Sequence, residues 1–174
     1  GNQPLKGSWS LDERGGSTAY DTSGNGNNGT LVNGPTWTTG KFGSGLSFNG
    51  VNDYVNVPAS TSLDISNVIT IEAWAKETKR GTKIKLVSRR RRNGNSFYFL
   101  GIDNGKPYGG IGDGTSYQVT SKSFTMPLNE WHHLVFVFVD AQDKGYIYYD
   151  GILKETSTLQ YSIGNLSGIK LSIG

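Results

Sequence analysis

The sequence predicts an all-β fold, an antiparallel jelly-roll sandwich, on three observations. The 174 residues include 25 glycines and 11% aromatic residues, a composition that suits short strands joined by tight turns. No segment sustains the apolar repeat of a helix. Runs of strand-forming residues alternate with turns of Gly, Asn, Asp or Ser. The predicted strands span residues 5–11, 45–49, 53–57, 68–76, 84–88, 97–102, 107–112, 117–121, 132–140, 146–149 and 169–173.

The first third of the chain carries two turn signals. Residues 21–30, DTSGNGNNGT, combine Asp, Ser, Gly and Asn, which tolerate left-handed backbone or bond their own main chain. Within residues 40–57, two short alternating runs at 46–48 and 54–57 flank Asn-Gly and Asn-Asp steps. This arrangement predicts a β-hairpin.

The run WHHLVFVFV at residues 131–139 is apolar at both alternate sets of positions, which predicts a central strand covered on both faces. His132 and His133 lie in this strand. Because neighbouring strand residues point to opposite faces, the two histidines cannot chelate one ion together. We interpret both as strand residues rather than catalytic ones.

Length and composition favour a single domain over residues 1–174, since the chain is long enough for one substantial core and too short for two. No apolar run approaches the roughly 20 residues that span a bilayer. The first seven residues, GNQPLKG, lack the apolar centre of a signal peptide. The absence of cysteine excludes a disulfide framework and a thiolate metal site.

Positive charge is concentrated in one segment. Residues 76–92 hold nine of the 17 Lys and Arg but one of the 14 acids, so this segment carries +8 and the remainder 8 − 13 = −5. Four consecutive arginines, Arg89, Arg90, Arg91 and Arg92, predict a site for sulfated or uronic polysaccharide, nucleic acid or an acidic partner. Because alternate strand residues face opposite ways, at most half of them converge on one ligand. The alternative is a solvated hairpin rim.

Three aromatic residues lie beside polar turns and are candidates for sugar contact, because a lectin site pairs a flat ring with Asn, Asp and backbone donors. The candidate ligand-binding residues of this kind are Trp37, Asp103, Asn104, Tyr108, Asp113 and Tyr117. The alternative for Tyr108 and Tyr117 is cross-strand packing. Nucleic acid is the weaker ligand, because residues 97–99 form a strand pattern and no evident base-stacking platform.

The order and spacing of several strings resemble the laminin G-like domains of the concanavalin A-like lectin/glucanase superfamily. These strings are residues 21–30 and 40–57, EAW at 72–74, NEWHHLVFVFV at 129–139 and YIYYDGIL at 146–153. The resemblance runs nearly end to end. It implies a jelly roll, and it implies that Trp74 and Trp131 are packing residues of the core.

The resemblance also raises an expectation about the last strand. Laminin G-like domains usually follow a strand such as GIKLSIG, residues 168–174, with a further strand, and no such segment is present here. We therefore expect an incomplete jelly roll with an unpaired edge along residues 5–11. Either the 174 residues are a fragment of a longer polypeptide, or a partner or neighbouring subunit donates the strand.

Calcium is the predicted cofactor, as a structural ion. Calcium prefers carboxylate and carbonyl oxygens from irregular loops, and residues 21–28 and 49–53 offer both. In relatives a calcium lies near the loops matching these segments. The resemblance implies a carboxylate from Asp21, a carbonyl from Asn49 or Gly50, and Asp53 as a weaker candidate. The alternative is that Asp21 and Asp53 bond their own backbone in Asx-turns.

Enzymatic activity is not expected. Laminarinase-type hydrolases share this fold and carry Glu-x-Asp-x-x-Glu on one strand, a string that is absent here. Glu72 lies in a predicted strand without a second acid two or four positions later. Nothing in the sequence orders a Ser-His-Asp triad.

The predicted function is a non-catalytic adhesion and carbohydrate-binding module, outside the cell or at its surface. Two acceptor patterns for N-glycosylation, at Asn28 and Asn165, suit such a location. One alternative is a structural or assembly subunit of a filament, coat or multidomain surface protein, with a protein partner or self-association through the open edge. A third is a polysaccharide hydrolase or lyase accessory domain.

Overall fold

The computed structural model describes residues 4–81, 83–91 and 95–174, and it confirms an all-β, antiparallel chain. Two single-turn 3-10 helices, Thr61–Leu63 and Asp140–Gln142, accompany the strands. Among the described residues, no helix has the length and apolar character needed to cross a membrane. The strands are β1 (Thr18–Ala19), β2 (Gly29–Val32), β3 (Thr36–Thr39), β4 (Ser44–Ser47), β5 (Tyr54–Val57), β6 (Val68–Ala75), β7 (Lys83–Arg90), β8 (Ser96–Asp103), β9 (Lys106–Gly112), β10 (Tyr117–Val119), β11 (His132–Val139), β12 (Lys144–Tyr149), β13 (Ile152–Thr158) and β14 (Leu171–Ile173).

The chain divides into two compact units, residues 4–64 with 167–174, and residues 65–166. In the first unit, β1, β2, β5 and β14 pair side by side in that order, and β3 and β4 form a separate hairpin. Val55 and Val57 of β5 are fully buried. A Cβ at Gly29 of β2 would overlap the side chain of Val55, so only glycine leaves room there for the valine.

The second unit holds two four-stranded arrays, in the orders β13–β12–β11–β6 and β7–β8–β9–β10. Leu134, Phe136 and Phe138 alternate along β11 and are fully buried. A Cβ at Gly109 of β9 would overlap the ring of Phe136, which shows that this face of β9 packs on β11. The core of the unit therefore lies between the two arrays.

Two tight turns of this unit follow directly from the sequence. The Asn104-Gly105 pair connects β8 to β9 and has φ values of 50° and 81°. The Asp150-Gly151 pair connects β12 to β13 with φ values of 49° and 80°. Positive φ at both central residues is the geometry that matches the twist of a two-residue hairpin, and Asn, Asp and Gly are the residues that adopt it at least cost.

Two predictions about strand pairing are wrong. Residues 5–11 do not form a strand; Trp9 makes an isolated bridge to Asp21, and its indole Nε1 donates to the Asn27 carbonyl at 2.9 Å. The open edge predicted along this segment is therefore not the edge of a strand. The predicted hairpin of residues 46–48 and 54–57 is also absent, because β4 pairs with β3 and β5 pairs with β2 and β14.

Candidate functional site

One face of the β7–β10 array collects lysines and aromatic rings. In antiparallel strands, residues opposite each other point to the same face. Leu100 is opposite Gly109, and this face packs on β11. Phe99 is opposite Gly110, so its ring lies on the other face. We call that other face the lysine–aromatic face; its members are Lys83, Lys85, Arg90, Ser96, Phe99, Asp103, Tyr108, Tyr117 and Lys122.

Glycines make room for the rings on this face. Tyr108 is opposite Gly101, and a Cβ at Gly101 would lie 2.9 Å from the Tyr108 ring. A Cβ at Gly110 would lie 2.5 Å from the Phe99 ring. The rings of Phe99 and Tyr108 meet edge to face at 5.1 Å between centroids. The missing side chains thus let two rings lie flat against the backbone of the array.

Lys85 is the central cation of the face. Its ammonium lies 4.1 Å from the ring centroid of Phe99 and 5.8 Å from that of Tyr117, and it donates to the hydroxyl of the buried Ser96. No carboxylate within the described ranges pairs with it. Burial, followed by the charges of Arg90 and Lys83, lowers the pKa of Lys85 to about 8. An ammonium without a counter-ion in a partly apolar setting favours a bound anion.

Tyr117 is the accessible ring of the face. It is 46% exposed and meets Phe99 edge to face at 6.2 Å between centroids. Phe99 itself is fully buried beneath Lys85 and Tyr117. Tyr117 therefore offers a ring surface to a ligand, whereas Phe99 contributes only through the cation above it.

Tyr108 and Asp103 lie under two further lysines. The Asp103 carboxylate is 2.6 Å from the Lys122 ammonium and 3.8 Å from the Lys83 ammonium. Both ammonium groups lie about 5.5 Å from the Tyr108 ring centroid, at 5.4 Å for Lys122 and 5.5 Å for Lys83. The hydrogen bond from Lys122 is the largest cause of the lowered pKa of Asp103. At this corner one carboxylate thus pairs with two ammonium groups.

The buried hydroxyl of Tyr108 has no hydrogen-bond partner among the residues described. Tyr108 is 1% exposed, and burial, with smaller contributions from Asp103 and Tyr117, raises the pKa of its hydroxyl. Because lysines cover it, Tyr108 supports the face from below and does not offer a ring to solvent. This placement agrees with cross-strand packing, the alternative that the sequence left for Tyr108.

The arginine run diverges. Arg89 is fully buried, and its guanidinium donates to the Leu166 carbonyl at 3.0 Å. Arg91 is exposed, and its guanidinium carbon lies 5.5 Å from the ring centroid of Phe97. Arg92 lies outside the described residues. The run therefore does not act as one cluster.

Arg90 is the member of the run that joins the lysine–aromatic face. A register shift between Arg89 and Arg90 places Arg90 opposite Ser96, whose hydroxyl accepts from Lys85. Because Arg89 and Arg90 are neighbours in one strand, their side chains point to opposite faces. Arg90 is exposed, and it extends the row of cations begun by Lys83 and Lys85 on the same strand.

Asn104 and Asp113 serve turns. The Asn104 side-chain oxygen accepts from the backbone N–H of Gly81 at 3.1 Å. Asp113 accepts from the backbone and hydroxyl of Thr115 and from the Ser116 backbone, at 2.6 to 2.8 Å. These hydrogen bonds, that of the Thr115 hydroxyl first, lower the pKa of Asp113 to about 2. Both side chains are occupied locally, so neither gains a ligand role from its geometry.

Trp37 lies in the first unit, on strand β3. Its indole Nε1 donates to the Gly16 carbonyl at 2.9 Å. It lines a groove of about 410 Å³ together with Arg14, Thr38, Thr39, Gly43 and Ser44. The sequence offered Trp37 as a ligand candidate, but it gave no sign of Arg14 beside it.

The two histidines point to opposite faces of β11, as predicted. His132 is buried; its Nδ1 is 2.8 Å from the Asp150 carboxylate, and its Nε2 is 3.0 Å from the Tyr149 hydroxyl. Asp150 also accepts from the His133 backbone at 2.9 Å. These contacts tie the β12–β13 turn to β11.

Trp74 of β6 lies opposite His133 of β11, on the outward face, and is not a core residue. Trp74 is 41% exposed, and its ring lies 5.3 Å from that of His133. Trp131 is partly exposed, with the Lys76 ammonium 5.2 Å from its ring centroid. The prediction that both tryptophans are core residues is wrong. His133 also lies 3.4 Å from Glu72, so Glu72 belongs to this outward face.

The predicted calcium ligand Asp21 is saturated by hydrogen bonds. Its two oxygens accept from Ser8 N, Ser23 N, the Ser23 hydroxyl and Asn27 N, each at 2.9 Å. Burial raises the pKa of Asp21, but these hydrogen bonds outweigh that effect and the pKa is lowered overall. A carboxylate offers about four lone-pair sites, and four donors fill them.

The second predicted calcium loop is also closed by its own contacts. The Asn49 side-chain oxygen accepts from the backbone of Val51, Asn52 and Asp53 at 2.8, 3.0 and 3.2 Å. Asp53 accepts from the Asn49 backbone and amide at 3.0 and 2.9 Å. Gly50 supplies the positive φ of 71° that the turn requires. Across the described part of the chain, no group of three or more His, Asp or Glu is placed to hold a metal.

These contacts fit the Asx-turn alternative better than a calcium site. We therefore expect the same melting temperature with and without a chelator, because a calcium ion would have to displace backbone donors from Asp21. Asp21→Ala should lower the melting temperature equally in both conditions, since it removes four acceptor contacts. Differential scanning calorimetry measures both effects. A chelator-induced drop in the wild type that Asp21→Ala abolishes would instead support calcium.

A laminin G family model, described as the concanavalin A-like lectin/glucanases superfamily, matches residues 49–174. The chain belongs to this superfamily. The laminin G-like resemblance of the sequence is confirmed. No curated protein matches the chain.

Solved structures with the same fold come from an extracellular enzyme and from toxins. Domain 4 of AbnA, a GH43 extracellular arabinanase from Geobacillus stearothermophilus in complex with arabinotriose, is 19% identical at a TM-score of 0.73, over 98% of this chain and 82% of that one. The binding domain of Paraclostridial Mosquitocidal Protein 1 is 18% identical at a TM-score of 0.70, over 97% and 43%. Botulinum neurotoxin type C, whose cell entry depends on two ganglioside molecules, is 17% identical at a TM-score of 0.65, over 92% and 40%.

At these identities the likeness shows the fold. The chain spans about two fifths of the length of the toxin chains, at 43% and 40%. These neighbours are mostly binding domains.

Proposed function

We propose that this chain is a non-catalytic carbohydrate-binding module of an extracellular protein, and that its lysine–aromatic face attaches it to anionic polysaccharide. One observation carries the proposal. The ammonium of Lys85 lies over Phe99 and beside Tyr117 without a described carboxylate as its partner. A carboxylate or sulfate of a polymer would provide the missing counter-charge.

The neighbouring groups suit a sugar chain. Tyr117 exposes a ring that can cover the apolar face of a sugar, while the Lys85 ammonium supplies donors beside it. Lys83 and Arg90 begin and end β7, so cations recur over roughly 20 Å at about 3.3 Å per residue. An extended anionic chain would meet several of them in turn.

The relatives support a saccharide as the ligand class. AbnA domain 4 was solved with arabinotriose, and the cell entry of botulinum neurotoxin type C depends on gangliosides. AbnA is an extracellular arabinanase, and botulinum neurotoxin type C enters cells, which supports the extracellular location. The absence of catalysis is supported by Asp103, the acid of the face, which two lysines hold as a carboxylate.

The test replaces Lys85 by methionine, which keeps the bulk of the side chain over Phe99 and removes its charge. A hydrogen bond to a charged group is worth about 1.5–3 kcal/mol. We therefore expect Lys85→Met to weaken binding of polygalacturonate about ten- to hundredfold, measured by isothermal titration calorimetry. Methyl-esterified polygalacturonate, which lacks the charge, should bind weakly to both proteins. Lys154→Met is the matched control, because Lys154 is exposed on β13 in the other array of the same unit.

The pH dependence separates Lys85 from ordinary surface lysines. With its pKa lowered to about 8, Lys85 is charged below that pH and neutral above it. Affinity for polygalacturonate should therefore fall between pH 7 and pH 9, while exposed lysines remain protonated. Lys85→Arg should remove this fall, because guanidinium stays charged. The proposal would be contradicted if the wild type bound polygalacturonate and its methyl ester equally. It would also be contradicted if Lys85→Met and the wild type bound polygalacturonate with equal affinity.

A further inference from the structure

A shallow, open groove lies beside Trp37. Its volume of about 410 Å³ falls in the range of roughly 300–1,000 Å³ typical of ligand pockets. Its walls are one indole ring, two threonines, a serine, a glycine and an arginine. It belongs entirely to the first unit, and none of its residues is a member of the lysine–aromatic face.

The indole of Trp37 lines this groove, but its N–H is not available there. The indole Nε1 is already used by the Gly16 carbonyl at 2.9 Å, and this bond fixes the ring. The side chain remains partly exposed. A fixed, partly exposed indole next to the exposed Thr39, which lies on the same face of β3, is the combination that an amphipathic sugar ring requires.

Arg14 supplies a charge that nothing in the described protein neutralises. It is exposed, and no carboxylate among residues 4–81, 83–91 and 95–174 pairs with its guanidinium. Its φ of 60° lies in the left-handed region, and so does the φ of 57° at Leu11. Two such non-glycine residues within four positions are unfavourable unless surrounding contacts hold them, and they concentrate at ligand sites.

The contacts that hold this backbone also shape the groove. The Ser44 backbone donates to Asp12 at 2.8 Å, and the Ser44 hydroxyl donates to the Leu11 carbonyl at 2.7 Å. A Cβ at Gly43 would crowd the carboxyl group of Asp12. The strained loop is thus fastened to the β3–β4 hairpin, with Arg14 left beside Trp37.

We propose that this groove is a second saccharide site, which takes one sugar unit carrying a carboxylate. The indole of Trp37 would cover the apolar face of the sugar, Thr39 would bond one of its hydroxyls, and the Arg14 guanidinium would pair with the carboxylate in the bidentate geometry of its two N–H groups. The inference rests on the proposed function only in taking the same class of polymer as ligand.

The experiment counts binding sites for a short uronate oligosaccharide, trigalacturonate, by isothermal titration calorimetry on the full chain. We expect two sites in the wild type, one in Arg14→Asn, one in Lys85→Met and none in the double variant. Asparagine is chosen because it tolerates left-handed backbone and carries no charge, so the fold of the loop is preserved. Lys6→Asn, an exposed lysine of the same unit, removes the same charge and should retain two sites.

A second measurement covers the case in which a groove variant is unstable. The indole N–H signal of Trp37, assigned with Trp37→Phe, should shift on adding trigalacturonate to wild type and to Lys85→Met, but not to Arg14→Asn. The inference would be overturned if Arg14→Asn still had two sites and its Trp37 indole signal still shifted as in the wild type.

The two proposals fail in distinguishable ways. A count of one site that Arg14→Asn abolishes and Lys85→Met leaves intact supports the groove and contradicts the lysine–aromatic face. A count of one site that Lys85→Met abolishes and Arg14→Asn leaves intact contradicts only the groove inference. No binding of trigalacturonate by the wild type overturns the groove inference as stated.

Discussion

Replacing Phe136 by alanine is expected to lower the free energy of unfolding by about 3–5 kcal/mol. Phe136 is fully buried between the two arrays of the second unit, and a Cβ at Gly145 would lie 3.3 Å from its ring. Gly109 borders the same ring. Because glycines have no side chains that can move into the vacated volume, the cavity should persist. Urea unfolding followed by tryptophan fluorescence measures the loss.

Phe42→Ala is the control for this prediction, because it makes the same chemical change at a residue that is 69% exposed. Surface substitutions usually change stability by about 0.5 kcal/mol or less. If Phe136→Ala cost no more than Phe42→Ala, Phe136 would not occupy the core position that the β11 pattern and Gly109 give it.

The strands that the sequence predicted well are those with strong apolar alternation or continuous apolar runs. The segments at 68–76, 97–102, 107–112 and 132–140 correspond to β6, β8, β9 and β11 within a few residues at each end. Burial of one or both faces of these strands leaves a direct mark on the sequence. The fold class could therefore be predicted from the sequence.

Two of the strands that the sequence missed have little apolar content. β3 reads TWTT and β13 reads ILKETST, and both are largely exposed. Their positions depend on backbone pairing with β4 and β12, which leaves no apolar period to read. The hairpin at residues 46–57 failed for a related reason: the turn residues were recognised, but turn chemistry does not specify which strand lies on the far side.

The candidate site was accessible from the sequence only in part. Tyr117 and Arg90 were named and lie on one face, whereas Lys83, Lys85 and Lys122 were not named. Lys83 directly precedes the predicted strand 84–88 that contains Lys85, and their spacing of two residues signals a shared face and could have drawn attention to them. Their meeting with Tyr117 depends on the pairing of β7, β8, β9 and β10, which no local pattern records.

Arg14 and Trp37 are brought together by the fold alone. They are 23 positions apart, and the loop that carries Arg14 is held by Asp12 and Ser44 rather than by regular structure. A single aromatic residue next to Gly-Pro is a weak signal in a sequence. The groove therefore depends on contacts in the folded chain that no local sequence pattern records.

The sharpest contrast between sequence and structure is the arginine run, where neighbours of identical chemistry have different environments. Arg89 has the largest fully buried side chain among the described residues, and its guanidinium donates to the Leu166 carbonyl at 3.0 Å. Arg90, in contrast, is exposed. Four identical residues in a row carry no information about which one turns inward. The bulge between Lys85 and Val87 decides it, since the extra residue in β7 shifts the alternation, so that Arg89 turns inward and Arg90 lies on the same face as Lys85.

Arg89→Ala is therefore expected to lower the free energy of unfolding by about 3 kcal/mol or more, since it leaves the buried Leu166 carbonyl without this donor and opens a large cavity. Arg90→Ala should cost about 0.5 kcal/mol or less. Urea unfolding of the two variants side by side makes the comparison. Arg89→Met refills most of the volume without the charge and should recover part of the loss, which separates packing from hydrogen bonding. Equal losses for Arg89→Ala and Arg90→Ala would mean that Arg89 is not buried in solution, and would return it to the set of residues available to an anionic ligand.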